Sequence, residues 1–304
     1  MDYRHRSARI ALLGVTAIWG VTFSLNQVAL HSIGAVTLTF LRFLVASVLL
    51  CVVFGLRRSF WRGLGRGELT GGLVTGALLF GAYLTQTEGQ RYISASLAGF
   101  LTGLSVVLVP IIFLALGRRP AKLQLAATII AVIGLYLLAS PQAHGRLLGV
   151  ALVVGCAILF ALQLVVVEHY SNTMVAIIRF TILQMATVTV LAGVVALRPG
   201  GSGLIPLHAS SEAWATVVIN GIGASALGFL IQTWSLRWLS SIEVSVLYSF
   251  EPVFAAVIAF VALHQSESIR VWIGGMVVVA AMVLVSIATP SGKPGLFDPQ
   301  ESST

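Results

Sequence analysis

Apolar residues run in stretches of about twenty along nearly the whole chain, and polar residues are confined to links of a few positions between them. The stretches cover residues 9–29, 35–56, 69–88, 94–116, 123–140, 146–167, 175–197, 213–234, 241–263 and 269–288. A hydrocarbon layer of ~30 Å is crossed by ~20 residues of α-helix, and a backbone in lipid must satisfy its own hydrogen bonds, so each stretch predicts a transmembrane helix. The pattern therefore predicts an all-α integral membrane protein with ten transmembrane helices and no soluble domain.

Composition sharpens this. Of 304 residues, 58% are apolar and 9% charged, with a mean hydropathy of +0.98, which excludes a water-soluble globular core. The net charge of +8 could suggest nucleic acid, but Lys and Arg sit in the links and form no basic stripe, so no nucleic-acid partner is expected. They act instead as topology signals. With the N-terminus cytoplasmic, that side carries Arg4, Arg6, Arg9, Arg57, Arg58, Arg62, Arg66, Arg118, Arg119, Lys122, Arg237 and Lys293, against Arg91, Arg146, Arg198 and Arg270 opposite. Both termini are then cytoplasmic, and the short links suggest a bacterial inner (cytoplasmic) membrane. The N-terminal MDYRHRSAR is basic, and the apolar run that follows it is long and lacks a cleavage site, so that run is expected to remain as the first span. Residues 289–304, rich in Pro, Gly and Ser, are read as a disordered cytoplasmic tail.

The two halves resemble each other. TQTEGQRYIS at 85–94 aligns with IQTWSLRWLS at 231–240, pairing Gln86 with Gln232, Arg91 with Arg237 and Ser94 with Ser240 at an offset of 146. LLGV recurs at 12–15 and 147–150, and Arg-Phe at 42–43 and 179–180. The chain reads as a five-helix unit used twice, residues 9–140 and 146–288. Because five is odd, the second copy enters the membrane inverted, a recurring construction of secondary transporters.

Charged residues inside the spans are the candidates for chemistry. Glu251 lies about ten residues, hence ~15 Å, into the ninth span, where a carboxylate is costly and must face the bundle interior or water. Three roles suit it: partner of a substrate ammonium, proton-coupling acid, or a carboxylate holding a turn loosened by Pro252, which cannot donate to the helical ladder. Tyr248 shares its face, and the repeat places Ser105 opposite Glu251 and Thr102 opposite Tyr248. Trp19, Thr22 and Asn26 form a polar-aromatic stripe on the first span; Tyr83 and Gln86, Gln163, and Gln232 with Ser225 add polar points on the third, sixth and eighth. The candidate substrate-binding set is Trp19, Thr22, Asn26, Tyr83, Gln86, Gln163, Gln232, Tyr248 and Glu251; each is alternatively a helix-to-helix hydrogen bond or packing contact. Arg42 and Arg179, in matching places, are read as snorkelling anchors, with substrate binding as the alternative, and Glu243 as an acid close to water. Gly72 with Gly76, Gly99 with Gly103, and Gly221 with Ser225 have the four-residue spacing that lets helix backbones approach.

Several segments carry a family resemblance: AIWGVTFSLNQVAL at 17–30, LTFLRFLVASVLL at 38–50, RYISASLAGFLTGLSVVLVPIIFLALGRRP at 91–120 and SVLYSFEPVFAAVIAFVAL at 245–263. The chain resembles the EamA-type branch of the drug/metabolite transporter superfamily. That resemblance implies ten helices in two inverted repeats, a central cavity, and export of small metabolites such as amino acids or their derivatives. The ninth span departs from the family in continuing into ALHQSES at 262–268.

Other classes find less support. No GxxxxGK[ST] loop is present, so ATP hydrolysis is not expected, and no aspartate lies between Asp2 and Asp298 to serve an acid–base constellation. The expectation is therefore a secondary transporter and not an enzyme, working by alternating access through the cavity. The alternatives are a multidrug or amine efflux carrier and a membrane-embedded enzyme. His5, His31, His144, His169, His208 and His264 lie near span ends, Cys51 and Cys156 inside spans, and neither a metal site nor a cofactor is expected. The expected partners are a small-molecule substrate and the lipid bilayer, with the protein a monomer or homodimer.

Overall fold

The structure is a computed structural model that describes residues 3–138, 147–173, 177–201, 203–254, 257 and 269–288. The expected repeat boundary at 140 and 146, the end of the ninth span, His144, His264 and the expected tail at 289–304 lie outside the described residues. Among those described, every regular element is helical.

In chain order the helices are α1 (Tyr3–Leu30), α2 (Ala35–Gly55), α3 (Arg66–Gly89), α4 (Ala95–Gly103 and Ser105–Ala115), α5 (Lys122–Leu138), α6 (Leu147–Thr173), α7 (Ile177–Leu197), α8 (Ser211–Ser235), α9 (Ser241–Tyr248) and α10 (Ile269–Ala288). Of these, α1, α2, α4, α6, α7 and α8 are long and apolar enough to cross a membrane. Shorter apolar runs, Lys122–Leu137 and Trp272–Val285, lie in α5 and α10, while the 24 residues of α3 are diluted by Gly, Thr and Glu68. Large apolar side chains such as Val194, Leu73, Ile129 and Val283 point outward, as a lipid-facing surface requires.

Element ends follow local chemistry. Ser94 and Ser240, matched by the repeat alignment, both cap helices: the Ser94 hydroxyl accepts from the Leu97 N–H at 3.3 Å and the Ser240 hydroxyl from the Glu243 N–H at 3.2 Å. Gly117 ends α4 at φ 76°, which lets the Arg118 N–H bond back to the Phe113 carbonyl at 2.9 Å.

The two halves interlock. Helix α3 packs on α6 and α7 of the other half, and α8 packs on α1 and α2; α4 meets α6 as α9 meets α1; α2 pairs with α7 and α5 with α10. The packing pattern thus returns to itself when the halves are exchanged. Glycines permit the closest crossings: a Cβ on Gly76 would stand 2.6 Å from the Thr187 Cβ and 2.8 Å from the Gln184 carbonyl oxygen. Gly72 meets the Leu183 Cβ at 2.6 Å, and Gly221 meets the Val45 Cβ at the same distance. On α4 the glycines are less tightly used, since Gly99 has only Phe23 beyond 3.7 Å and Gly103 has Leu135 at 3.1 Å.

Candidate functional site

Side chains of six helices converge midway along α1 on a central chamber of about 40 Å³, room for a few waters. Trp19, Thr22 and Phe23 come from α1, Tyr83 and Gln86 from α3, and Thr102, Gly103 and Ser105 from α4. Phe160, Gln163 and Leu164 come from α6, Gln232 from α8, and Tyr248 and Glu251 from α9 and the turn that continues it. Eight of the nine sequence candidates meet here; Asn26 does not. Thr102 and Ser105, which the repeat sets against Tyr248 and Glu251, also line the wall, and among the described residues Glu251 is its one acid. The apolar lining of Phe23, Phe160 and Leu164 was missed by sequence reasoning, although Phe160 and Leu164 share a helical face with Gln163.

Two of the contributing helices break at the chamber. Helix α4 is interrupted at Leu104, where the Leu104 and Val107 amides bond to carbonyls three residues back. The same tightening follows α9, with Ser249 bonding to Val246 and Phe250 to Leu247, before Glu251 begins the next helical turn. Proline alone does not explain it: Pro252 follows the second break, but Pro110 lies well past the first. Ser105 and Glu251 thus open the second segments of matched broken helices.

Hydrogen bonds organise the polar lining. Gln86 donates to the Thr102 hydroxyl at 3.2 Å, Tyr248 donates to the Gln232 carbonyl at 3.0 Å, and the Gln232 amide donates to the Gln163 carbonyl at 3.0 Å. Rings fill the remainder: Trp19 meets Tyr248 edge-on at 4.9 Å between centroids, and Tyr83 meets Phe160 at 5.3 Å. Helix α8 contributes through a π-helical stretch, Asn220–Leu227. Within it the Ala224 carbonyl accepts from the Trp19 indole at 2.8 Å and the Ser225 hydroxyl accepts from Arg42 Nε at 3.0 Å.

Three charged residues depart from the sequence reading. Arg42 does not snorkel; it is 1% exposed, with its guanidinium carbon 4.4 Å from the Tyr83 ring centroid and 5.4 Å from that of Phe43. Arg179 is also buried, and it pairs with Glu68 at 2.9 Å while donating to the Phe60 and Arg62 carbonyls at 3.1 and 2.8 Å, which ties α7 to the link after α2. Both guanidiniums turn inward onto partners in the bundle: Ser225 and aromatic rings for Arg42, Glu68 and two carbonyls for Arg179. Glu243 is 0% exposed and ion-paired with Arg9 of α1, so its place near a helix start does not put it in water.

Polar contacts join the helices at both ends of α1. Toward its start, Arg9 pairs with Glu243, and the Glu168 carboxylate on α6 accepts from the Ser241 N–H at 2.7 Å. Toward its end, Asn26 donates to Gln90 at 3.2 Å and accepts from Asn220 at 2.8 Å, while Gln27 donates to the Ile93 carbonyl at 3.1 Å. Arg9 and Asn26 are seventeen residues and hence about 26 Å apart along the helix, with the chamber between them. Among the described residues no group of three or more His, Cys, Asp or Glu is placed to hold a metal ion.

Apolar helices around an aromatic and polar chamber are the build of a multi-pass membrane protein. The model of the EamA-like transporter family matches residues 6–140 and 147–287, and the chain belongs to that family. It is similar to an uncharacterized transporter of Archaeoglobus fulgidus, 26% identical over 285 residues covering 92% of this chain and 86% of that protein. A probable terminal-alkyne amino-acid exporter of Streptantibioticus cattleyicolor is 28% identical over 287 residues, 92% of this chain and 93% of that one. A protein of known crystal structure shares the fold at a TM-score of 0.73 with 18% identity, covering 93% of this chain and 97% of the other.

Proposed function

We propose that this chain is a secondary transporter that exports small metabolites, amino acids or related compounds, across the cytoplasmic membrane by alternating access to the central chamber. The observation that carries this reading is Glu251: a buried acid, 8% exposed, set at a helix break in a chamber walled by both halves of the chain. A lone carboxylate in such surroundings suits a substrate ammonium or a transported proton. The relative from Streptantibioticus cattleyicolor, named as an amino-acid exporter, supports the substrate class.

The membrane topology in this reading is ten spans in two inverted repeats, residues 9–140 and 146–288, with both termini cytoplasmic and residues 289–304 a cytoplasmic tail. Supporting it are the two successive family matches, the packing that survives exchange of the halves, and the excess of Lys and Arg on the N-terminal side. The candidate substrate contacts are Trp19, Thr22, Tyr83, Gln86, Gln163, Gln232, Tyr248 and Glu251. Asn26 is reassigned to closure of one end through Gln90 and Asn220. Opening in this reading separates either the Arg9–Glu243 end or the Asn26–Gln90–Asn220 end.

Counterflow in proteoliposomes tests the reading. Protein loaded inside with an unlabelled amino acid accelerates entry of the labelled one, saturably, across a panel of the proteinogenic amino acids and propargylglycine. Flux that never saturates and shows no counterflow indicates a channel and overturns it.

A further inference from the structure

The two matched arginines differ in what surrounds them. Arg179 has a carboxylate and two carbonyls. Arg42, its counterpart at the same place in the other half, meets the hydroxyls of Ser225 and Tyr83 and two aromatic faces, and among the described residues its Nη2 is buried with no hydrogen-bond partner. A guanidinium buried in a membrane bundle with an unused donor is a poor structural device, because the same stability comes from an apolar residue at lower cost. Its place matters: Tyr83, whose ring lies against the guanidinium, is itself a wall of the chamber, so a single aromatic side chain separates Arg42 from the enclosed space.

A second donor faces the same space without an acceptor. Gln163 lines the chamber, its carbonyl is taken by Gln232, and its Nε2 is buried and unpartnered. Among the described residues the chamber therefore holds one acid, Glu251, and near it two donors lacking acceptors.

We propose that Arg42 forms a latent carboxylate subsite behind Tyr83, which a substrate enters by displacing the Tyr83 ring. The bidentate fork of Arg42 takes the carboxylate, Gln163 Nε2 supports it, and Glu251 holds the ammonium. This rests on the transporter reading above and narrows its substrate to zwitterions that carry both groups; an amine drug fills only the Glu251 side. Movement of the Tyr83 ring opens space and uncovers the guanidinium together.

The test is counterflow in proteoliposomes of leucine, phenylalanine and propargylglycine, each beside the amine left by removing its carboxyl group: isoamylamine, phenethylamine and but-3-yn-1-amine. The wild-type protein is expected to exchange at least one amino acid roughly tenfold faster than its amine. Arg42→Gln is expected to erase that preference by losing the amino acid while keeping the amine, and Arg42→Lys to retain part of it. If either variant keeps the full preference, or if the wild type exchanges amines as fast as amino acids, the subsite is overturned while the carrier reading stands. The wild-type ratio and Arg42→Lys decide the matter should Arg42→Gln fail to fold. Exchange of none of the six compounds overturns the subsite, while the exporter reading falls only if the wider amino-acid panel also shows no counterflow.

Discussion

Gln232 accepts a hydrogen bond from Tyr248 sixteen residues on, and Gln86 makes the same sixteen-residue link to Thr102 in the other half of the chain. The two links are offset by 146 residues, as are the matched caps Ser94 and Ser240. The partners differ in kind, since a threonine stands where the other half has a tyrosine, and serine stands opposite Glu251. The two halves of the chain thus present unequal chemistry to a common chamber.

Glu251→Gln keeps the shape of the side chain and removes its charge. Transport is expected to fall roughly tenfold, equivalent to about 1.4 kcal/mol, and to lose its pH dependence, read as counterflow rate from acid to neutral pH. A variant with normal rate and normal pH dependence would take Glu251 out of the mechanism and leave it as a helix-break residue.

Trp19 is fixed by its 2.8 Å bond to the Ala224 carbonyl, and a Cβ on Gly228 would stand 2.9 Å from the indole nitrogen. Trp19→Phe should cost about 0.6–1.7 kcal/mol, the range of interhelical hydrogen bonds in membranes. Gly228→Ala should shift the indole and impair transport more than it lowers the melting temperature. Thermal unfolding in detergent beside counterflow separates the two effects, and an unaffected transport rate in Gly228→Ala would show that indole position is irrelevant.

Arg9 and Glu243 form an ion pair in which the acid is fully buried. Removing one partner strands a charge, so Arg9→Met is expected to destabilise by roughly 3–5 kcal/mol, whereas Arg9→Met with Glu243→Met recovers most of the loss. A melting-temperature cycle measures the coupling. Additive effects would mean that the pair does not hold the end of α1.

The glycine crossings make opposite predictions for one substitution. Gly76→Ala meets the Thr187 Cβ and the Gln184 carbonyl, so α3 and α7 must separate at a cost of about 1–3 kcal/mol. Gly99→Ala meets only ordinary contacts with Phe23, and its melting temperature should equal or slightly exceed that of the wild type. Equal behaviour of the two variants would contradict the packing described.

Helix positions were readable because apolar length is a strong signal. The start of α1 at Tyr3, six residues before the apolar run, was not, since a polar extension of a helix carries no hydropathy mark. The chamber was legible where a polar side chain interrupts an apolar helix, which is how Gln86, Gln163, Gln232 and Glu251 stood out. Asn26 misled because the stripe with Trp19 and Thr22 is real, yet seven residues carry it about 10 Å along α1, past the chamber and onto Gln90 and Asn220. Arg42 misled for another reason: depth in a span does not reveal direction, and its neighbours Tyr83 and Ser225 are distant in sequence. Phe23 and Leu164 look like any lipid-facing residue until the fold turns them inward.

The reciprocal docking of α3 on α6 and α7, and of α8 on α1 and α2, has a consequence for biogenesis. Neither half can cover its own third helix, so an isolated N-terminal fragment would leave the glycine seam of Gly72 and Gly76 facing lipid. Residues synthesised first must wait in the bilayer, unfinished, until their complements emerge from the ribosome and close over them.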